Sequence, residues 1–295
     1  IFRSDVPLNE DLPTLSQKDP VVDFSINQVD ANSFANFTQN YSRQFQTRYA
    51  KSEQGKNAPK WLGALWLKMA RDAGRNDIVV ELLPPPRGLE QPSVRISIPG
   101  SDQSAPFVVL GGHLDSISGW GGGGSTAPGA DDNSSGIGAL TEAYRVLLKQ
   151  SFHPRSTVQI IGYASEELGL LGSREIAANY QTNKARVRGV LQLDMVAYPG
   201  NSSRAVTFMT DYTSSALTRW TEQMFGLYVG TQTKEDRCGY ECSDHASWTR
   251  YGYASVMPFE AAMDDMNPNI HTANDRWEGL LDANFGAQFA KLAVG

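Results

Sequence analysis

The segment 107–136 combines a β-like start with the side chains that metal ligands and proton carriers use. Its first four residues are apolar and predict a buried strand, which ends at two glycines and is followed by His113 and Asp115. A Gly-rich loop then leads to Asp131 and Asp132, just before a predicted helix. Because the carboxyl ends of strands in an open α/β sheet face the site crevice, these groups predict a ligand site. Taken alone, His-x-Asp is a weak pattern that an ordinary surface loop also produces.

Later strand ends carry the same types of side chain. Glu166 and Glu167 follow one predicted strand, Asp194 follows the next, and His271 lies in a loop after the last. Each has an ordinary explanation. A Glu pair before a helix complements the helix dipole, an Asp after an apolar run caps or turns, and a loop His is solvated.

Taken together, these residues indicate a site for two metal ions more strongly than they indicate a separate structural role for each residue. The set comprises two imidazoles and three carboxylates: His113, Asp132, Glu167, Asp194 and His271. Zn²⁺ accepts such nitrogen and oxygen donors, with one carboxylate bridging and each ion taking one imidazole. Two close ions can activate one water and polarise a carbonyl together. Glu166 is then left free to take a proton.

Strands and helices alternate along most of the chain, which predicts a mostly parallel sheet with helices on both faces. Neither a repeat nor a low-complexity linker divides the chain, so residues 1–295 are interpreted as a single α/β domain. An opening strand pair around a Pro run would form an antiparallel edge. The predicted helices cover 33–46, 58–73, 136–150, 167–179, 213–225 and 281–294, and the strands 78–83, 94–98, 107–110, 158–164, 190–195, 206–210 and 253–259.

Composition excludes several classes of partner. A net charge of −6 argues against nucleic acid and anionic membranes as main partners. No apolar run reaches the roughly 18 residues that a membrane span needs.

Other features predict a secreted, processed protein. The sequence starts with Ile1. Its two cysteines, Cys238 and Cys242, lack the further ligands that a Cys₄ or Cys₂His₂ metal site needs, so a disulfide is favoured. Glycosylation is expected at the sequons of Asn36, Asn40 and Asn201, whereas Asn133 lies inside the predicted site and is not expected to carry sugar.

The ordered motifs GGHLDS, PGADDNSSG, YASEELGLLGS, LQLDM, CGYECSDHASW and NIHT resemble those of the secreted two-zinc leucine aminopeptidases of bacteria and fungi. The resemblance covers about residues 105–275. It implies one zinc on His113, Asp132 and Asp194, and a second zinc on Asp132, Glu167 and His271. Asp115 is implied to orient His113. Glu166 is implied to be the general base and acid that passes a proton from water to the departing amine.

The resemblance also implies the substrate: a peptide with a free N-terminus. The loop of Cys238, Tyr240 and Cys242 is implied to form one wall of the pocket. Apolar residues close in sequence to the ligands or to this loop predict a preference for large hydrophobic residues such as Leu. They are Met195, Met257, Phe259, Met263, Met266 and Ile270. An inhibitory propeptide, removed on maturation, is a further expected partner.

Two rival functions stay open at this point. One is another enzyme on the same scaffold, such as a glutaminyl cyclase or a zinc carboxypeptidase. A carboxypeptidase would need a cationic clamp, and no Arg or Lys cluster adjoins the motifs. The other is a non-catalytic ectodomain, which would have lost metal ligands. Of the remaining histidines, His153 is expected in a solvated loop, and His245 is expected behind a helix cap at Ser243 or Asp244 rather than in the site.

Overall fold

The computed structural model describes residues 5–119, 126–230 and 232–295. Most of the Gly-rich segment of the predicted site therefore lies outside the described residues. Two sheets are present in the described chain. The larger has the strand order β1-β2-β4-β3-β5-β8, and the smaller has the order β7-β6-β9. The strands are β1 (Val79–Leu82), β2 (Val94–Ile98), β3 (Phe107–His113), β4 (Val158–Tyr163), β5 (Val187–Gln192), β6 (Val206–Met209), β7 (Thr233–Asp236), β8 (Ser255–Val256) and β9 (Pro258–Phe259).

The four strands β4, β3, β5 and β8 run parallel and form the centre and one end of the larger sheet. β1 and β2 pair antiparallel with each other, and β2 pairs antiparallel with β4. The predicted antiparallel edge and the mostly parallel sheet are both confirmed. Because β4, β3 and β5 are parallel neighbours, their carboxyl ends lie side by side.

Helices cover both faces of the larger sheet. The period-2 alternation of a strand sends Val109 and Ile161 to one face, where they pack with residues of α5 and α7. Leu110 and Ile160 belong to the core on the other face, with residues of α2, α3, α4 and α8. The helices are α1 (Pro20–Ile26), α2 (Ala31–Gln44), α3 (Glu53–Asp72), α4 (Ser134–Lys149), α5 (Leu171–Thr182), α6 (Ser215–Tyr228), α7 (His245–Arg250) and α8 (Ala283–Val294).

The structure corrects three local expectations. The helix expected to begin at Glu167 begins at Leu171, because the left-handed backbone of Gly169 and Leu170 ends a preceding 3-10 turn. The strand expected at 206–210 pairs in the smaller sheet. The strand expected at 253–259 is split at Met257, so that its halves β8 and β9 join different sheets.

α1 and β7 were not predicted, because a seven-residue helix with one buried side chain, Ile26, and a charged four-residue edge strand carry little apolar periodicity. Within the described ranges, no helix combines the length and apolarity that crossing a membrane requires.

Candidate metal centre

The predicted ligands meet at the carboxyl edge of the parallel strands. His113 is the last residue of β3, and Asp194 comes two residues after β5. Glu167 lies in the 3-10 turn that follows β4. Asp132 precedes α4, whose N-cap is Asn133. Strand geometry therefore supplies three of the side chains, and two loops bring the others to them.

The two carboxylate oxygens of Asp132 face two different imidazoles. His113 Nε2 lies 2.9 Å from Asp132 Oδ1 and 3.2 Å from Asp194 Oδ1. His271 Nε2 lies 3.0 Å from Asp132 Oδ2 and 3.1 Å from Glu167 Oε2. The result is two compact donor sets, each with one imidazole and two carboxylates, that share Asp132.

Glu166 lies beside both sets, within a donor group that also includes His113 and Glu167. The main chain before it is in the left-handed region at Ser165, with a φ of 57°. Such a backbone costs about 1–3 kcal/mol and persists only where the surroundings hold it. Met195 and His271 have the same feature, with φ of 50° and 54°. Three sharp turns therefore aim side chains into this site.

Asp115 fixes the turn that carries both glutamates. Its fully buried carboxylate accepts the main-chain N–H of Glu166 at 3.0 Å and that of Glu167 at 3.3 Å. The same carboxylate lies 3.6 Å from His113 Nδ1, slightly beyond hydrogen-bond distance. Asp115 is thus placed against the imidazole, as the resemblance implies, but its well-formed bonds hold the glutamate turn.

The pKa values of both site imidazoles are raised, which shows that the site stabilises positive charge. Hydrogen bonds to Asp132 and Glu167 raise the pKa of His271 to about 11. Burial would lower the pKa of His113, but the charge of Asp194 and then that of Glu166 raise it well above its usual value. Burial raises the pKa of Glu167 to about 8. The clustered carboxylates therefore favour positive charge at both imidazoles, and bound cations would balance the same negative charge.

The donor chemistry fits zinc. Each set offers three protein ligands of nitrogen and oxygen type, which is the number that a catalytic zinc site uses with one position open. Glu167 Oε1 is buried and has no hydrogen-bond partner among the described residues, which is costly for a carboxylate without a cation.

Supporting groups behind the ligands were not predicted from the sequence. The hydroxyl of Ser243 donates to Asp194 Oδ2 at 2.6 Å. The buried carboxylate of Asp275 accepts the main-chain N–H of Asp131 at 2.9 Å and that of Asp132 at 3.0 Å. Their sequence signal is weak, because Ser243 was interpreted as a helix cap and Asp275 is one of several polar residues in its loop.

Asn133 links this loop to the end of β5. Its amide donates to the Leu193 carbonyl and accepts the main-chain N–H of Met195. The side chain of Asn133 is fully buried. By contrast, Asn36 and Asn40 are exposed on α2. The side-chain nitrogen of Asn201 donates to the hydroxyl of Tyr198 at 2.6 Å.

A cavity of about 470 Å³ opens onto the two donor sets and is lined by every residue expected in the substrate pocket. The Cys238–Cys242 disulfide is formed, and Tyr240 in its loop has 58% of its surface exposed. Arg174 also lines the cavity, although the sequence did not predict it as a pocket residue. The predicted residues that line it are Met195, Cys238, Tyr240, Cys242, Met257, Phe259, Met263, Met266 and Ile270.

Two histidines lie apart from the ligands. His153 is exposed in a loop, as expected. His245 is fully buried at the start of α7, and it is not among the residues that line the cavity. Asp244 does hold the N-cap position, but its side chain makes no capping hydrogen bond.

The fold and the site define a class, the α/β metallopeptidases with ligands at the carboxyl ends of parallel strands. The family model of peptidase family M28 matches residues 93–294, so the chain belongs to that family. Leucine aminopeptidase 1 of Aspergillus clavatus is 35% identical over 288 residues, which are 94% of this chain and 72% of that protein. The crystal structure of the LapA aminopeptidase of Legionella pneumophila superposes with a TM-score of 0.87 at 30% identity, covering 97% of this chain and 76% of that one. The prediction of a zinc-dependent aminopeptidase is confirmed.

A rival enzyme class shares the fold. A glutaminyl cyclase of Bacteroides thetaiotaomicron superposes with a TM-score of 0.70, covering 90% of this chain and 97% of that one. Its identity is only 18%, so the similarity concerns the fold alone.

Proposed function

We propose that this chain acts as one catalytic domain that binds two zinc ions and removes large hydrophobic residues from the free N-terminus of peptides. One observation carries the proposal: the two oxygens of Asp132 face two imidazoles, and each imidazole also contacts a separate carboxylate. A bridging carboxylate between two matched donor sets is what a two-metal hydrolase requires.

His113, Asp132 and Asp194 would hold one zinc ion, and Asp132, Glu167 and His271 the other. When bound, the ions supply Lewis acidity that polarises the scissile carbonyl and makes water a better nucleophile at neutral pH. Asp115 and Ser243 keep the ligands oriented, through the glutamate turn and through Asp194 respectively.

Glu166 carries the proton in this proposal. It accepts a proton from the attacking water at a carboxylate oxygen and returns it to the nitrogen of the departing amine. Burial raises the pKa of its carboxyl group well above the usual value. A carboxylate with a raised pKa is a better base, and its conjugate acid can still donate near neutral pH.

The charge of the site favours a substrate with a free amino group. The cavity is rich in carboxylates, and Arg174 is the one Lys or Arg among the described residues that line it. Its guanidinium pairs with Glu241 at 3.0 Å, so it is not a free clamp for a substrate carboxylate. This arrangement supports an aminopeptidase over a carboxypeptidase.

The far wall of the cavity is apolar and adaptable. Met195, Met257 and Phe259 form a small buried cluster with Met209, and the disulfide packs against it. Methionine side chains adjust to several shapes, which suits Leu, Met and Phe better than Asp, Glu or Gly. We assign this cluster to the pocket for the first substrate residue.

The protein is further proposed to act outside the cell, with its disulfide formed and sugars on Asn36, Asn40 and Asn201. An inhibitory propeptide removed on maturation belongs to the same proposal.

The test uses Leu-p-nitroanilide and its N-acetylated form. We expect hydrolysis of the free-amine substrate only, loss of activity after chelation, and recovery with two equivalents of zinc per chain measured by elemental analysis. Recovery at one equivalent with no gain from a second would contradict the two-zinc assignment. Cyclisation of an N-terminal glutamine without hydrolysis of the anilide would favour the glutaminyl cyclase alternative.

A further inference from the structure

We propose that Arg48 is a positioning residue that holds two ligand-bearing segments together, although it lies outside residues 93–294, which the family model matches. The inference rests on the proposed two-zinc function. Arg48 follows α2, and the family match begins only at residue 93. Its side chain is nevertheless fully buried beneath the site.

The guanidinium donates to three main-chain carbonyls on two separate segments. Nε donates to Leu114 at 2.8 Å, Nη1 to Pro128 at 2.6 Å, and Nη2 to Gly129 at 2.9 Å. Leu114 lies between His113 and Asp115, so one bond fixes the end of β3. The other two fix the turn that leads into Asp131 and Asp132. One rigid side chain therefore sets the distance between an imidazole ligand and the bridging carboxylate.

Gly129 and the ring of Tyr41 pack closely against this guanidinium. A Cβ at Gly129 would clash with the Asp132 carbonyl oxygen and would lie 2.6 Å from Ser116 Cβ and 2.7 Å from Arg48 Nη2, and the φ of Gly129 is +54°, so a glycine is needed there. The guanidinium carbon lies 4.8 Å from the centre of the Tyr41 ring. A planar fork with three separate donors fits this arrangement, whereas a lysine ammonium could not reach all three carbonyls at once.

The main chain of Arg48 reaches a third segment of the site. Its carbonyl accepts a hydrogen bond from Gln91 Nε2 at 3.0 Å, and Gln91 Oε1 accepts the main-chain N–H of Ser165 at 2.9 Å. Ser165 immediately precedes Glu166. Arg48 is thus connected to the segments of His113, Asp132 and Glu166 at the same time.

Charge adds a second reason to keep an arginine here. Taking a cation out of water is costly, and this guanidinium donates to carbonyls rather than directly to a carboxylate. Asp275, Asp115 and Asp132 nonetheless lie close enough to stabilise it electrostatically. The arrangement offsets part of the repulsion among the clustered carboxylates before any metal binds.

The test compares Arg48→Lys and Arg48→Met with Arg75→Met. Arg75 is also a buried arginine of the N-terminal region, but it binds Asp77 and the Phe152 carbonyl instead of site segments. Zinc affinity is measured by competition with a chromophoric chelator, below the melting temperature of each variant. Losing a group behind a metal ligand typically costs 10–100-fold in affinity or activity.

We therefore expect a 10–100-fold loss of zinc affinity and a matching loss of kcat for Arg48→Met, with KM changed little. Arg48→Lys keeps the charge but loses the fork, so its loss should be smaller; it also carries the test if Arg48→Met does not fold. Arg75→Met should lower the Tm while leaving zinc affinity within about twofold. The inference is overturned if the Arg48 variants lose only Tm, as Arg75→Met does. A wild-type protein that binds no zinc would instead refute the proposed function itself.

Discussion

The two ends of the same parallel strands have opposite characters. At the amino end, a cavity of about 320 Å³ lies between the sheet and α4, α6 and α8. Its described lining is largely aliphatic and aromatic, including Val108 of β3, Val158 of β4 and Leu147 of α4, with Arg188 as its one charged side chain. At the carboxyl end, the cavity of about 470 Å³ is lined by all five assigned ligands and by Glu166, with Arg174 and Glu241 as further charged side chains. Both cavities are large enough for a small molecule, so size does not distinguish them.

The two cavity linings show that charged side chains concentrate at the carboxyl ends of the parallel strands. Inside the sheet, β3 and β4 are covered by helices on both faces, and neither has a charged side chain before His113. Beyond the last residue of each strand, the chain turns sharply and main-chain N–H groups become available to carboxylates, as they do for Asp115 and Asp275. We therefore expect substitutions at the carboxyl end to change activity and those at the amino end to change stability.

Replacement of Glu166 by Gln should give the largest effect. The amide keeps the shape but cannot accept the proton, so kcat should fall by roughly 10²–10⁴-fold or more. Zinc content should stay near that of the wild type, because Glu166 is not one of the five assigned ligands. Steady-state kinetics and elemental analysis on the same sample check both points.

Glu222→Gln is the matched control. Glu222 is a half-buried carboxyl on α6, the helix that lines the amino-end cavity. Its replacement should leave kcat within about twofold. Wild-type turnover in Glu166→Gln would show that another group carries the proton.

Leu147→Ala tests the amino end. Leu147 is buried in the large core and lines the apolar cavity. Leu→Ala substitutions in cores cost about 2–5 kcal/mol, and a site beside an existing cavity should fall toward the lower end. Urea unfolding should show this loss, while kcat/KM per folded molecule stays unchanged. A tenfold fall in kcat/KM at full folding would mean that the two ends are energetically coupled.

The size of the first substrate residue tests the apolar wall of the carboxyl end. A Leu side chain has three more carbons than Ala, and each buried methylene is worth about 0.8 kcal/mol. Leu-p-nitroanilide should therefore exceed the Ala compound by tens of fold in kcat/KM. Reduction of the Cys238–Cys242 disulfide should clearly lower the ratio of kcat/KM for the Leu and Ala substrates. The same reduction should change the Tm little. Equal rates for Leu, Ala and Asp substrates would exclude the assigned pocket.

Strand ends were the part of this protein that the sequence predicts best. The run before His113 and the run before Glu166 are apolar, bounded and close to their true limits, and β2 has the expected bounds. Three of the expected ligands, His113, Glu167 and Asp194, meet in space because parallel neighbours align their carboxyl ends, and loops bring Asp132 and His271 to them. That conclusion needed only the order of the motifs and the alternation of strands with helices.

Groups that act through long-range main-chain contacts were not predictable in this way. Arg48 contacts a segment about 80 residues later, and Asp275 contacts one more than 140 residues earlier. Neither has a local pattern that distinguishes it from a surface charge. The smaller sheet was missed for a related reason, since the pairing of short strands depends on the turn at Met257 rather than on periodicity.

His245 gives the smallest expected effect, on the pH dependence of stability. Burial lowers the pKa of His245 to about 4, against the opposing charges of Asp211, Asp194 and Glu241. The unfolded chain, with an ordinary pKa near 6.5, therefore binds more protons than the folded chain between about pH 4 and pH 6.5. The stability of the wild type relative to His245→Leu should be constant above this window and should fall by on the order of 1–3 kcal/mol as the pH decreases through it.

Urea unfolding from pH 4 to pH 8 measures this difference, in the presence of a chelator so that release of zinc does not contribute. Burial raises the pKa of the neighbouring Asp244 to about 7, which gives the opposite slope, but this contribution is common to both proteins and is removed by the comparison. His153→Leu, which removes an exposed loop imidazole, is the matched control. A relative stability that rises toward acid pH would mean that His245 is protonated in the folded state. The charged carboxyl edge of the sheet would then extend to His245, at the start of α7.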